Sequence, residues 1–242
     1  MPDPAANNGY NANTTDGQLW YGLNRGASSG LAGASPFTIS SDMVALELQD
    51  PTLATPSFIN AVSNGLNGWM NLTYGQLANA FAQGIALQPF FGNINTDSAD
   101  LSAAQASGAK LLQYHGLADV LIPTPGSVNY YTRVANLDGG FAKTQAYDRL
   151  FLIGGMGHCS GVGTQQGTVG VSPAITSANL PLPAAGQLFT AMTNWVENGT
   201  APASITLTST DASASQLLCP YPQKPTYSGT GAITAAASYT CK

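Results

Sequence analysis

Two short apolar runs, each closed by glycine and separated by one helical stretch, constrain this chain more than any other feature. Residues 110–114 (KLLQY) lie between Gly108 and Gly116, and residues 150–153 (LFLI) end at Gly154 and Gly155. Short continuous apolarity bounded by turn residues fits a strand buried on both faces, as in a parallel sheet covered by helices. Residues 126–136 (GSVNYYTRVAN) predict the connecting helix. A second helix is predicted over residues 184–197, with Leu188, Met192, Trp195 and Val196 as its core stripe. Residues 99–200 therefore read as βαβα. A parallel pair needs neighbours and helices on both faces, so this half is expected to be the end of a larger sheet whose other strands precede residue 1.

The flanks differ in texture. Residues 1–98 mix Gly/Asn-rich loops with helical stretches at 42–48 and 74–85, the latter with Leu77, Ala78, Phe81 and Ile85 on one face. No strand stands out there, which reads as an insertion or cap. Residues 201–242 read as an irregular tail with one strand at 204–208. The 242 residues are 44% hydrophobic, ample for a core, and only 8% charged, against about 25% in an ordinary soluble domain. Seven basic and twelve acidic residues leave a net charge of −5. No basic patch exists to neutralise phosphates, which argues against nucleic acid as a partner. No apolar run approaches the roughly 20 residues of a membrane-spanning helix.

Three cysteines occur. Cys219 and Cys241 sit in a Pro/Tyr/Gly-rich tail where a disulfide is the natural staple, worth roughly 3 kcal/mol for a loop of this size. Cys159 is left over, so it has either a missing partner or a free thiol. Two histidines and no CxxC pair give no metal-ligand spacing. The first residues carry neither a basic nor an apolar leader segment. A secreted or periplasmic chain would then have its true N-terminus elsewhere.

Asp119 lies just past the first run, in YHGLADVLIP, and His158 just past the second, in GGMGHC. Loops at the carboxyl ends of parallel strands are where α/β enzymes place catalytic groups. An acid after one strand and a histidine after the next match the last two members of the Ser…Asp…His order of α/β-hydrolases. His158 would act as general base towards a serine and then as acid towards the leaving group, with Asp119 holding its tautomer. Alone, Asp119 would be a turn residue and His158 a polar loop residue; their matching positions favour chemistry. His115, at the end of the acid's own strand, reads as a structural residue with a hydrogen bond near the acid loop.

The stretches YHGLAD, RLFLIGGMGHCSG, NWVENGTAP, LCPYPQKPTYSGTG and AAASYTC, in that order across residues 99–242, resemble the C-terminal segments of the tannase and feruloyl esterase family. Relatives in that family include the esterase acting on mono(2-hydroxyethyl) terephthalate. The resemblance implies the C-terminal part of an α/β-hydrolase fold in residues 99–242, with a disulfide-closed tail. Residues 1–98 would be the remainder of an inserted lid domain. It also implies Asp119 as triad acid and His158 as triad base. Cys159 matches the family's cysteine beside that histidine, which pairs with a cysteine next to the nucleophile, outside this chain. A calcium site in another part of the lid is implied as well, leaving no cofactor and no metal ligand among these residues.

The family's Gly-Cys-Ser-x-Gly-Gly nucleophile segment is absent from the 242 residues. Residues 26–30 (GASSG) fit G-x-S-x-G, but the flanking LWYGLNR and LAGASPF supply neither the buried strand nor the helix that a nucleophile elbow needs. Ser28 is therefore rejected. Trp20 and Tyr21 resemble the lid aromatics that stack on an aromatic acid, although packing inside the lid explains them equally well. The expectation is a serine carboxylic ester hydrolase acting on esters of aromatic acids, incomplete and inactive alone, with the serine on a missing N-terminal half or partner chain. The alternative is a non-catalytic subunit or aromatic-ligand-binding fragment needing a partner chain.

Overall fold

The computed structural model describes residues 23–24, 37–92, 96, 98–158, 161 and 178–242. In chain order they form helices α1 (Thr38–Glu47), α2 (Tyr74–Leu87) and α3 (Ser102–Ala106), strand β1 (Leu111–Gly116), helices α4 (Thr124–Asp138) and α5 (Phe141–Thr144), and strand β2 (Asp148–Ile153). Helix α6 (Gln187–Asn198) and strands β3 (Ile205–Thr208), β4 (Ser215–Leu218), β5 (Pro225–Tyr227) and β6 (Tyr239–Cys241) follow. One unit lies within Ala32–Asp97; the other contains Ser98–Lys242.

In the second unit, both apolar runs are strands and they pair in parallel, from Leu111 opposite Asp148 to Gly116 opposite Ile153. The register is in step, so both strands reach their carboxyl ends at one level. Helix α4 makes the crossover. It opens on Thr124-Pro125, where the missing proline N–H leaves no intrahelical bond unmade, and stops at Gly139 with φ 85°, a backbone state glycine adopts without steric penalty. Side chains alternate along a strand. Leu112 packs with Leu188 and Ala191 of α6 against buried Phe151, Ile153, Met156, Leu207 and Leu218, whereas His115, of opposite parity, turns to Ser127 of α4. Full burial of each large apolar side chain stabilises by about 1.5–3 kcal/mol. Trp195 of α6 is also buried, with the Arg149 guanidinium and the Lys110 ammonium 5.4 and 5.7 Å from its ring centre. Val196, expected in the same stripe, is 59% exposed, because the helix turns it away from β1 one residue past Trp195.

The tail is more regular than expected. Strands β3 and β4 form one antiparallel pair, and β5 and β6 another. Cys219 and Cys241 form a disulfide, their Cα atoms 5.5 Å apart. Strands of three or four residues carry too few side chains to show a period, and the β5–β6 partners lie far apart in sequence.

In the Ala32–Asp97 unit, Thr73 opens α2 with a capping box: its hydroxyl accepts from the Gln76 N–H, and its own N–H donates to the Gln76 amide. The inward face differs from the expected one. Ala80 is buried and Leu77, Gly84 and Leu87 are half-buried, while Ala78, Phe81 and Ile85 are exposed. Close approach decides it: a Cβ at Gly84 would come within 2.6 Å of the Glu47 carboxylate at the end of α1. Small residues let α2 come near α1 on this face, which apolarity counting does not weight.

Asp148 opens β2 with no exposed surface. Burial pushes its carboxyl up from 3.8 to about 6, against two hydrogen bonds from the Gln113 amide at 2.9 and 2.7 Å and with Asp138 adding like charge. A pKa raised in the folded state means the folded chain holds this proton more tightly. The resulting stability is fully present below pH 4 and is lost as pH rises through about 6, a fall of no more than about 3 kcal/mol. Asp148→Asn, which keeps an acceptor for Gln113, should flatten that fall in denaturant unfolding measured from pH 4 to 8.

Candidate active site

Both candidate side chains leave the same edge of the β1–β2 pair. Asp119 follows β1 by three residues and His158 follows β2 by five. Gly155, at φ 74°, turns the chain after β2. Backbone hydrogen bonds join the two loops: Leu117 N–H donates to Ile153 O at 2.9 Å and Ala118 N–H to Met156 O at 3.0 Å. Gly116 permits that approach, since a Cβ there would collide with the carbonyl oxygens of Met156 and Gly157.

Asp119 is 2% exposed and every acceptor position on its carboxylate is used. Oδ1 accepts from the N–H groups of Leu121 at 2.8 Å and Ile122 at 3.0 Å. Oδ2 accepts from His158 Nδ1 at 3.0 Å and from His115 Nε2 at 3.1 Å. Burial works to raise its pKa, but the hydrogen bonds from Ile122, His158, Leu121 and His115 outweigh it and hold the carboxyl below its ordinary value. Asp119 is thus a buried carboxylate that remains ionised at neutral pH.

His158 has a 44% exposed side chain. With Nδ1–H donated to Asp119, its Nε2 is a bare acceptor, and among the described residues nothing bonds to it. An imidazole in that tautomer can take a proton from a hydroxyl placed before Nε2, and the ionised Asp119 stabilises the resulting imidazolium. The structure therefore brings Asp119 and His158 together and adds His115 to the same oxygen. The sequence signal for that third contact is the H-G-x-x-D spacing, read above only as a nearby structural bond. Trp20, Tyr21, Ser28 and Cys159 lie outside the described residues. A hollow of about 470 Å³ lined by Tyr114, Met156, Leu182, Leu188 and Phe189 lies beside this loop, but neither Asp119 nor His158 lines it. Among the described residues, no group of three or more His, Cys, Asp or Glu could hold a metal ion.

The tannase and feruloyl esterase family profile matches residues 13–242. The chain belongs to the tannase and feruloyl esterase family. A probable feruloyl esterase of Arthroderma benhamiae is 35% identical over 175 residues, covering 70% of this chain and 29% of that protein. Feruloyl esterase B of Aspergillus niger is 34% identical over 162 residues, 65% of this chain and 30% of its own length. The chain thus spans about three-tenths of these curated relatives. Among solved structures, feruloyl esterase B from Aspergillus oryzae superposes with a TM-score of 0.60 at 25% identity, over 86% of this chain and 38% of that one. Tannin acyl hydrolase from Aspergillus niger gives 0.61 at 23% identity, over 89% and 35%, a likeness of fold. The mixed helix-and-strand architecture described above is therefore shared with esterases of this family.

Proposed function

We propose that Asp119 and His158 are the acid and base of a Ser-His-Asp triad in a carboxylic ester hydrolase acting on esters of aromatic acids. The observation that carries this reading is the 3.0 Å contact between His158 Nδ1 and the buried, ionised Asp119 Oδ2, with no bond to Nε2 from the described residues. Membership in an esterase family supports the reaction class, and relatives named as feruloyl esterases and a tannin acyl hydrolase support an aromatic acyl group. On this reading residues 99–242 are the C-terminal part of an α/β-hydrolase core, and residues 1–98 belong to its lid, with Trp20 and Tyr21 stacking on the acyl ring. The Cys219–Cys241 disulfide favours secretion or a periplasmic location, and among the described residues no helix is long and apolar enough to cross a membrane.

The serine comes from outside these 242 residues, and Cys159 forms its disulfide beside that serine. In the acylation step, His158 Nε2 removes the serine proton as Oγ bonds to the ester carbonyl carbon. The imidazolium then protonates the departing alkoxide, leaving an acyl-serine and a free alcohol. Water repeats the sequence and releases the acid. Asp119 stays ionised throughout.

The test is hydrolysis of a chromogenic ferulate ester. The 242-residue chain alone should show no turnover, and assembly with a serine-bearing segment should produce turnover that requires His158. Steady turnover by the chain alone, abolished by Ser28→Ala, would overturn the assignment of the serine elsewhere.

A further inference from the structure

We infer that His115 is a positioning residue for the proposed acid–base pair: donating from Nε2, it holds the Asp119 oxygen that orients His158. This inference rests on the Asp119–His158 reading above and adds a third, functional member to it.

The contacts assign the protons. His115 Nε2 lies 3.1 Å from Asp119 Oδ2 and 2.9 Å from the carbonyl oxygen of Ile122. A carboxylate oxygen and a backbone carbonyl only accept, so Nε2 must carry the hydrogen and shares it between them. On the other side of the ring, Nδ1 lies 2.8 Å from Ser127 Oγ, in the first turn of α4. That hydroxyl can donate to Nδ1 or accept from it, so it holds the ring without dictating the Nδ1 proton, whereas the two acceptors on the other side require a hydrogen on Nε2. His158 is the reverse case, with the hydrogen it gives to Asp119 on Nδ1. The two histidines of this chain therefore donate to one carboxylate oxygen from opposite ring nitrogens.

The geometry makes His115 more than a filler of space. Its side chain is 13% exposed, and it is held at both nitrogens, by α4 on one side and the 119–122 turn on the other. Two backbone N–H groups fix Oδ1, but they leave Oδ2 free to tilt about the Oδ1 anchor. A second donor on Oδ2 removes that freedom, so the lone pair offered to His158 keeps its direction. Without it, water would compete for Oδ2, and His158 Nδ1–H would meet a less well-aimed acceptor. The spacing explains why one short segment supplies both residues. His115 closes β1, Gly116 lets the loops touch, and the turn brings Asp119 back over the ring.

The chain has two histidines in all, so nitrogen-15 labelling of histidine gives a spectrum with one pair of ring nitrogens for each. At a pH where both rings are neutral, the wild-type chain should show His115 protonated at Nε2 and His158 at Nδ1. A His115 protonated at Nδ1 overturns the inference directly and needs no variant. A His158 protonated at Nε2 would instead sink the Asp119–His158 reading, so the two failures are distinguishable.

The variants then test how His115 acts. His115→Leu keeps bulk and removes the donor; solvent exchange of the His158 Nδ1 proton should rise by about tenfold or more, the scale of one hydrogen bond to a charged group. His115→Gln places an amide N–H the same number of bonds from Cβ as His115 Nε2 and should restore slow exchange. Unchanged exchange in the leucine variant overturns the inference. Loss in both variants also does, because the ring would then act through its shape and not its proton.

Discussion

His158→Ala should lower ester turnover by about four to six orders of magnitude once the serine is supplied. The loss should appear in kcat, because in the proposed mechanism the imidazole moves protons in the transition state and does not hold the ester. Asp119→Asn should cost about 10⁴-fold for a separate reason. An amide at position 119 can offer its nitrogen to His158, which favours the Nε2–H tautomer and removes the bare nitrogen that accepts the serine proton. Folding should tolerate His158→Ala, since that side chain is 44% exposed. Asp119→Asn should also weaken the 119–122 turn, because the carboxylate receives the Leu121 and Ile122 N–H groups. Circular dichroism and urea unfolding separate the two kinds of loss.

Gly116→Ala should act on the site and the fold together. The added methyl meets the Met156 and Gly157 carbonyl oxygens, which are backbone and cannot rotate out of the way. The loop carrying His158 must move, and Ala118 N–H loses its hold on Met156 O. Overpacking of this kind destabilises by about 1–3 kcal/mol. A displacement near 1 Å between base and acid lowers turnover about 100-fold more. Gly108→Ala is the control, since a Cβ there meets nothing within 4 Å, although its φ of 79° adds modest strain. Unfolding midpoints and kcat measured on both variants check the pair. Equal turnover in Gly116→Ala and wild type would show that the two loops are not coupled through this contact.

The parts that were legible in the sequence share one property: their signal is local. The β1 and β2 runs announce themselves as short apolar segments that end in glycine, although only β2 is largely buried; β1 is half-buried, with Tyr114 43% exposed, against the expected cover on both faces. Asp119 and His158 could be placed because each follows such a strand directly. The parts that were not legible depend on what packs opposite. The inward face of α2 carries the small residues Ala80, buried, and Gly84, beside the Glu47 side chain at the end of α1. Strands β4, β5 and β6 have three or four residues each, and their partners are set by tertiary pairing. A hydrogen bond of His115 near the acid loop was legible from its place at the end of β1, but that it reaches Asp119 itself depends on how the 119–122 turn folds the chain back.

The most direct measurement of the central claim is the site of covalent capture by an aryl fluorophosphonate, mapped by mass spectrometry in the chain assembled with its serine-bearing segment. The account predicts a phosphonylated serine outside the 242 residues, with labelling that slows by about 10³-fold or more in His158→Ala. A label on Ser28, or on any serine whose capture is indifferent to His158, would contradict it.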